Sequence, residues 1–273
     1  MKKKKKNYIQ IKKIFTFLKI KKFLSIDDQR AIQVFLKVCK DLNIKSLGYM
    51  HYKFTKYIVG IKYLCFDNFI VWSEYFKKKL IEVNRGYAKK KIFVSGYIKK
   101  KYKKFNNVNS VNILYLIDLN LNFYSTTKLL RKLNKVKKIN IFVKLRPQLI
   151  ETKWEKFCVK ENIKYFKLES LDQVNQLVRM DYFIANISTA ILEAPLYGAM
   201  PLKILSKNDF ADDLIQDKVV QKIRNFNDIV KIAQKKPSSK KIDKIFRKVW
   251  GKLKYKPNNI KKIFLNHVYD KYN

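Results

Sequence analysis

Residues 180–204 read MDYFIANISTAILEAPLYGAMPLKI, and their pattern decides the fold. An apolar strand, Tyr182 to Ala185, is headed by Asp181 and runs into the polar turn Asn186-Ile187-Ser188-Thr189. A helix is expected from Ala190, with Ser188 and Thr189 as good N-caps, and Pro201 opens a further strand. Strand, turn, helix and strand in this order form the repeating unit of a parallel α/β sheet. A helix that starts at the C-terminal end of a parallel strand offers free N–H groups and the positive end of its dipole to an anion. Glu193 lies early in that helix, within reach of a ribose hydroxyl, as acidic residues are in related nucleotide folds. The same residues also read as an ordinary capped helix with a solvated Glu.

Working outward, the unit recurs. On the N-terminal side, a short buried strand is expected at 23–26 and further strands at 44–49, 67–73 and 91–95, with a packed helix at 31–42 and another from Ser73 through about Glu82. Residues 99–110 (KKKYKKFNNVNS) are polar and lack apolar periodicity, as a linker does. The pattern restarts with strands at 111–117, 139–145, 163–168, 182–185 and 201–205. The intervening helices fall at 125–133, with Ser125 as cap, at 154–162 and at 171–179. The expectation is an α/β protein of two Rossmann-like domains whose parallel sheets face a cleft, the first half shortened to about four strands. The bounds are 1–105, with a basic N-terminal helix, 106–255 for the nucleotide-binding half, and 256–273 for a C-terminal helix.

The chain has 273 residues, a net charge of +41, 47% apolar residues and 14% aromatics. That apolar share excludes a disordered basic tail. A charge of +41 invites a nucleic-acid partner. Yet Lys is spread along the whole chain, and abundant Lys, Ile, Asn, Tyr and Phe with only 6 Gly is the profile of A/T-rich codons. Nucleic acid is therefore not the expected partner. Residues 8–24 place Ile11, Ile14, Phe15 and Leu18 at helical spacing among Lys12, Lys13 and Lys19, which reads as a surface helix or as an interfacial helix on anionic lipid. The start MKKKKK has a signal-like charge, but lysines interrupt the apolar stretch after it, so a cleaved signal is not expected. No stretch is long and apolar enough to span a membrane. Cys39, Cys65 and Cys158 are odd in number and far apart, which gives neither a disulfide framework nor a zinc site and is compatible with a reducing cytoplasm. The sequence has no Asp-x-Asp, Walker loop, GxGxxG or GxSxG, so metal-bridged diphosphate, ATPase, nicotinamide and serine-hydrolase chemistry find no support.

The pattern D-Y-x-I-x-N-x-S-T-A-x-L-E-A-x-x-x-G-x-x-P-L, over Asp181 to Leu202, resembles the donor-site motif of GT-B glycosyltransferases of bacterial surface polysaccharide synthesis (capsule and lipopolysaccharide), a group related to the CDP-glycerol glycerophosphotransferases. Three further stretches are similar to that family in the same order. Lys144-Leu-Arg-Pro147 resembles its K-x-H-P motif, with Arg146 in place of the His. Gly48-Tyr-Met-His51 resembles a Q-H-G motif, with Tyr52 in place of the Gly, and Asp67 to Gly96 resembles the passage that closes the acceptor half. The resemblance covers roughly residues 25–235. It implies that Ser188 and Thr189 hold the donor diphosphate, that Lys144 and Arg146 face it as cations, that Glu193 holds the ribose, and that Gly198 and Pro201 shape the backbone. His51, after a strand end, is the candidate base for the acceptor hydroxyl. Asp27 and Asp28 are the runner-up bases, and they also read as an N-cap; His267 is expected on the surface.

The implied function is metal-independent transfer of a sugar from a nucleotide-sugar donor to a glycan or lipid-linked acceptor, with no other cofactor. The implied location is cytoplasmic, at the inner face of the membrane through residues 1–24. A glycerophosphate-type transferase, a sugar-nucleotide epimerase, an inactive family member and a basic nucleic-acid-binding protein are the alternatives.

Overall fold

The computed structural model describes residues 2–26, 31–50, 61–96, 110–118, 121–146, 152–186, 188–205, 212–251 and 257–268. His51, Asp27 and Asp28, the candidate bases, lie outside the described residues, as does most of the 99–110 segment. The chain divides into two compact units: residues 1–98 together with 249–273, and residues 99–248.

The first unit runs α1 (Lys2–Phe17), β1 (Lys22–Ser25), α2 (Ile32–Asp41), β2 (Lys45–Tyr49), β3 (Asn68–Val71), α3 (Glu74–Val83), a 3-10 turn (Arg85–Lys89) and β4 (Lys91–Val94). Its four strands pair in parallel in the order β1-β2-β3-β4. The middle residues of β2 and β3 are buried on both faces, as in central strands of a covered parallel sheet. The expectation of a buried first strand is corrected: β1 is an edge strand, and Leu24 is exposed on it. The basic helix begins earlier than the apolar spacing indicates, at Lys2. It is fastened to the unit by the Tyr8 hydroxyl, which donates to the Asp41 carboxylate, and by the packed rings of Phe15, Phe23 and Phe35.

Two motif residues of this unit have structural work. Gly48 lies where a Cβ would come within 2.4 Å of the Phe69 ring and 2.8 Å of Phe66, so the close approach of that ring requires glycine. Asp67 ties the start of β3 to β2: its carboxylate accepts both the backbone N–H and the hydroxyl of Ser46, each at 3.0 Å.

The C-terminal helix α10 (Pro257–Val268) belongs to this unit, where Ile263 and Phe264 pack on Leu47, Tyr49, Ile70 and Phe93. His267 is not on the surface, as expected from its place near the chain end, but buried, because α10 lays it against β1. Its Nε2 lies 3.3 Å from the Phe23 carbonyl, which can only accept, so Nε2 carries the proton. Burial pushes the imidazole pKa down, the Phe23 hydrogen bond pushes it up, and nearby Lys22 adds to the depression; the net direction is below the ordinary value. A histidine whose folded pKa lies below its unfolded value stabilises fully above the unfolded value, about 6.5. That stability is lost as pH falls from there through the folded value. Urea midpoints are expected to fall between pH 7.5 and pH 5, roughly that window, and the fall should shrink in His267→Gln; an identical pH profile in the variant contradicts it.

The second unit runs β5 (Val111–Leu116), α4 (Phe123–Asn134), β6 (Ile139–Lys144), α5 (Thr152–Lys160), β7 (Lys164–Phe166), α6 (Leu171–Leu177), β8 (Tyr182–Ala185), a 3-10 helix (Thr189–Tyr197), β9 (Met200–Ile204), α7 (Asp212–Gln216), β10 (Gln221–Ile223), α8 (Phe226–Ala233) and α9 (Ser239–Trp250), whose last two residues count with the first unit. Six parallel strands pair in the order β10-β9-β8-β5-β6-β7. Each strand is followed by a helical crossover, which matches the expected βα repeat; the segments after β9 were not anticipated. Two local expectations are corrected. The α4 cap is Asn122, whose side chain accepts the Ser125 N–H at 3.0 Å, rather than Ser125 itself. The segment after Ser188 is a 3-10 helix with Pro195 inside it rather than an α-helix, because proline has no N–H for an i→i−4 bond and crowds the preceding turn.

Candidate functional site

The chain enters the second sheet at its centre. From β5 it moves outward through β6 and β7, then returns to the other side of β5 as β8. β5 and β8 are thus neighbours whose crossovers leave in opposite senses, a topological switch point, and ligands of open α/β sheets bind beyond the C-terminal ends of such strands. The residues there are Ile117 and Asp118 after β5, Asn186 and Ser188 after β8, and Leu145 and Arg146 after β6.

Both strand ends are tied together. The buried Asp118 carboxylate accepts the Ser188 N–H at 3.1 Å. Ser188 has the extended backbone of a cap, and its hydroxyl accepts the Ala190 N–H at 3.4 Å. The run closes at Gly198, whose φ of 72° is left-handed backbone that favours glycine.

Lys203 is 1% exposed in the middle of β9, paired in register with Ala185. Its ammonium donates to the Asn186 carbonyl at 2.5 Å. A charge so far from water needs partners, and this one sits directly behind the turn that Ser188 caps. The Asn186 side-chain Oδ1 is buried and has no hydrogen-bond partner among the described residues. An orphan acceptor at a switch point is a natural receptor for a ligand hydroxyl or N–H.

Glu193 is half-buried on the 3-10 helix. Its carboxylate lies 3.4 Å from the Tyr197 hydroxyl, which also donates to Asp172 of α6 at 2.9 Å. Two carboxylates therefore flank one phenol. The Tyr197 ring stacks on Phe183 of β8, centroids 5.8 Å apart, and so fixes the segment that carries Glu193.

The cations after β6 divide. Lys144 spends two N–H groups on backbone carbonyls, of Leu145 at 2.7 Å and Lys167 at 2.9 Å, stitching the ends of β6 and β7. Burial pushes its pKa down, and Glu169 opposes this. Arg146 is half-exposed and has no partner among the described residues. The structure thus brings Ser188, Thr189, Lys144 and Arg146 to the C-terminal edge of one sheet, with the ends of β6 and β8 about 10 Å apart across β5. Thr189 opens the 3-10 helix, and Glu193 stands one turn further along it.

The residues that sequence reasoning passed over are Asp118, Asn186, Lys203, Asp172 and Tyr197. The available signal was strongest for Lys203, a lone charge inside the apolar run PLKIL. Asp181, which heads the motif, is at the opposite edge: its carboxylate accepts the Asn112 N–H at 3.0 Å and ties β8 to β5. In the first unit a cavity of about 370 Å³ opens where β2, β3 and β4 begin, lined by Cys39, Ser46, Cys65, Asp67 and Lys90 among others. That is the edge away from the strand ends where α/β ligands bind.

No protein-family profile and no curated protein matches the chain. Solved structures do. A co-structure of S. aureus MnaA with UDP aligns with a TM-score of 0.64 at 12% identity, covering 98% of this chain and 80% of that one. A putative UDP-N-acetylglucosamine 2-epimerase from Listeria monocytogenes gives 0.62 at 13% identity, over 99% and 80%. The lipopolysaccharide outer core galactosyltransferase WaaB gives 0.53 at 11% identity, over 98% and 80%. The chain therefore has the α/β fold with two parallel sheets that GT-B glycosyltransferases and UDP-sugar epimerases share.

Proposed function

We propose that the protein is a GT-B-type transferase that moves a sugar from a nucleotide-sugar donor to a surface-glycan or lipid-linked acceptor, without a metal and at an anionic membrane surface facing the cytoplasm. One observation carries the reading: at the switch point of the second sheet, the capped Ser188 turn, the buried Lys203 cation behind it and the unpaired Asn186 Oδ1 converge. That combination suits an anionic group followed by a hydroxylated ring. In this reading the Ser188–Thr189 turn takes the diphosphate through the Thr189 N–H, the Ser188 N–H being held by Asp118, with Arg146 as the facing cation. Glu193 takes the ribose. Lys144, already committed to two carbonyls, acts on the phosphates through its charge. His51 is the base that takes the acceptor proton, with Asp28 as the second choice. The leaving nucleoside diphosphate is neutralised by these fixed donors and cations.

A second reading, epimerisation of a nucleotide sugar, is favoured by the carboxylates of Asp172 and Glu193 around the Tyr197 hydroxyl, since proton exchange at a sugar carbon needs paired acid–base groups. The deciding experiment is a thermal-shift screen against nucleotides and nucleotide sugars, because a ligand of the folded state raises the melting temperature. It is followed by incubation of the best binder in D₂O without acceptor. Binding with no exchange at carbon supports the transferase; deuterium on the sugar ring replaces it with the epimerase; no shift with any nucleotide sugar rejects both.

A further inference from the structure

We propose that the outward face of α1, centred on Ile14, Phe17 and Leu18, is the surface that enters the headgroup layer of an anionic bilayer. This rests on the membrane-surface part of the function proposed above and not on its chemistry.

The helix has two unlike faces. Tyr8 and Phe15 fasten it to the domain, through Asp41 and through the rings of Phe23 and Phe35. Phe15, which sequence spacing grouped with Ile14 and Leu18, thus turns inward. Ile14, Phe17 and Leu18 are 52%, 84% and 58% exposed. They are neighbours: Ile14 stands three and four residues before Phe17 and Leu18, the spacing that stacks side chains on one helical face. Single exposed apolar residues are ordinary, but three adjoining ones at a helix end form a patch that invites a partner.

The end of the helix is also held in place. Ile20 N–H returns to the Phe15 carbonyl at 3.0 Å, Lys19 N–H to Thr16 at 3.1 Å, and Lys19 takes a left-handed φ of 50°, so the last turn is closed by a Schellman-type cap. Phe17 and Leu18 are therefore presented by a fixed turn.

Charge selects the occupant. Lys13, Lys19 and Lys21 are exposed beside the patch, with Lys13 one turn from Phe17. α1 has no acidic residue. Each basic residue near an anionic leaflet strengthens partition by roughly fivefold. A nucleic-acid backbone would use the lysines and leave the apolar side chains in water, whereas the headgroup boundary takes both. No described helix is long and apolar enough to cross a membrane, so the contact is one of lying on the surface.

The test is flotation of the full chain with vesicles of phosphatidylglycerol and phosphatidylcholine, against phosphatidylcholine alone, compared with Ile14→Ser/Phe17→Ser/Leu18→Ser. The wild type is expected to bind the anionic vesicles, and the triple variant to lose about tenfold or more of that partition from its lost apolar area. The three side chains are exposed, so its melting temperature should be unchanged. If the triple variant is destabilised, Phe17→Trp decides instead: a blue-shifted emission with anionic vesicles supports the proposal, and an unshifted one overturns it. A folded triple variant that binds like the wild type overturns the face and leaves the membrane reading standing. Binding of the wild type to neither vesicle overturns both, and binding to an oligonucleotide alone does so in favour of nucleic acid.

Discussion

Glu193→Ala is expected to weaken binding of every nucleotide-sugar donor by about ten- to hundredfold, the worth of a charge-assisted hydrogen bond to a hydroxyl. The argument starts from position. Glu193 follows the capping Ser188 by five residues on a segment that begins at the end of β8. Its carboxylate is therefore placed one turn behind the Ser188–Thr189 turn proposed for the diphosphate, the separation of a phosphate from its ribose. The side chain is only half-buried, and the hydroxyl nearest to it, on Tyr197, has a shorter bond to Asp172. Removing Glu193 thus leaves the Tyr197 hydroxyl its bond to Asp172, and folding should survive. Glu193→Gln, which keeps an acceptor but loses the charge, is expected between wild type and Ala. Titration calorimetry with the donor found by thermal shift reads all three. Equal affinities, in variants that melt like the wild type, would remove Glu193 from the site.

Much of the fold was legible because parallel strands buried on both faces write themselves as short apolar runs with polar ends. VNILYLI, INIFVKL and DYFIA all became strands within a residue or two of their expected bounds. What failed was local chemistry with close competitors. Asn122 and Ser125 are both good caps three residues apart, and the sequence does not say which one the backbone reaches first. Pro195 turned an expected α-helix into a 3-10 run. The site divides the same way. The Ser188 cap is written locally. The Asp118 contact with Ser188 joins residues 70 apart in sequence and exists only because β5 and β8 are neighbours. Lys144 matched a family motif, yet the carbonyl that claims one of its protons belongs to Lys167, which no motif contains. His267 was misplaced for the same reason: a helix near the chain end looks exposed until the sheet it covers is known.

Tyr197→Ala is expected to cost the second unit about 3–5 kcal/mol, the range for deleting a large buried aromatic side chain, and to abolish donor binding with it. The ring is buried and stacked on Phe183, itself buried in β8, with an interplanar angle of 17°. This stack is a direct side-chain brace between the strand and the 3-10 helix. A 3-10 helix has weaker internal hydrogen bonds than an α-helix, and Pro195 removes one more donor. The segment that carries Glu193 therefore depends on tertiary packing for its shape. Tyr197→Phe separates ring from hydroxyl. It keeps the stack and removes the hydroxyl that donates to Asp172 and lies 3.4 Å from the Glu193 carboxylate, at a cost of about 1 kcal/mol, and donor affinity should stay within a few-fold of wild type. Urea unfolding and calorimetry on both variants check the pair. If Phe proved as damaging as Ala, the hydroxyl and its two carboxylates would be the anchor instead of the ring, and paired acid–base work by Asp172 and Glu193 would gain the support that sugar transfer lost.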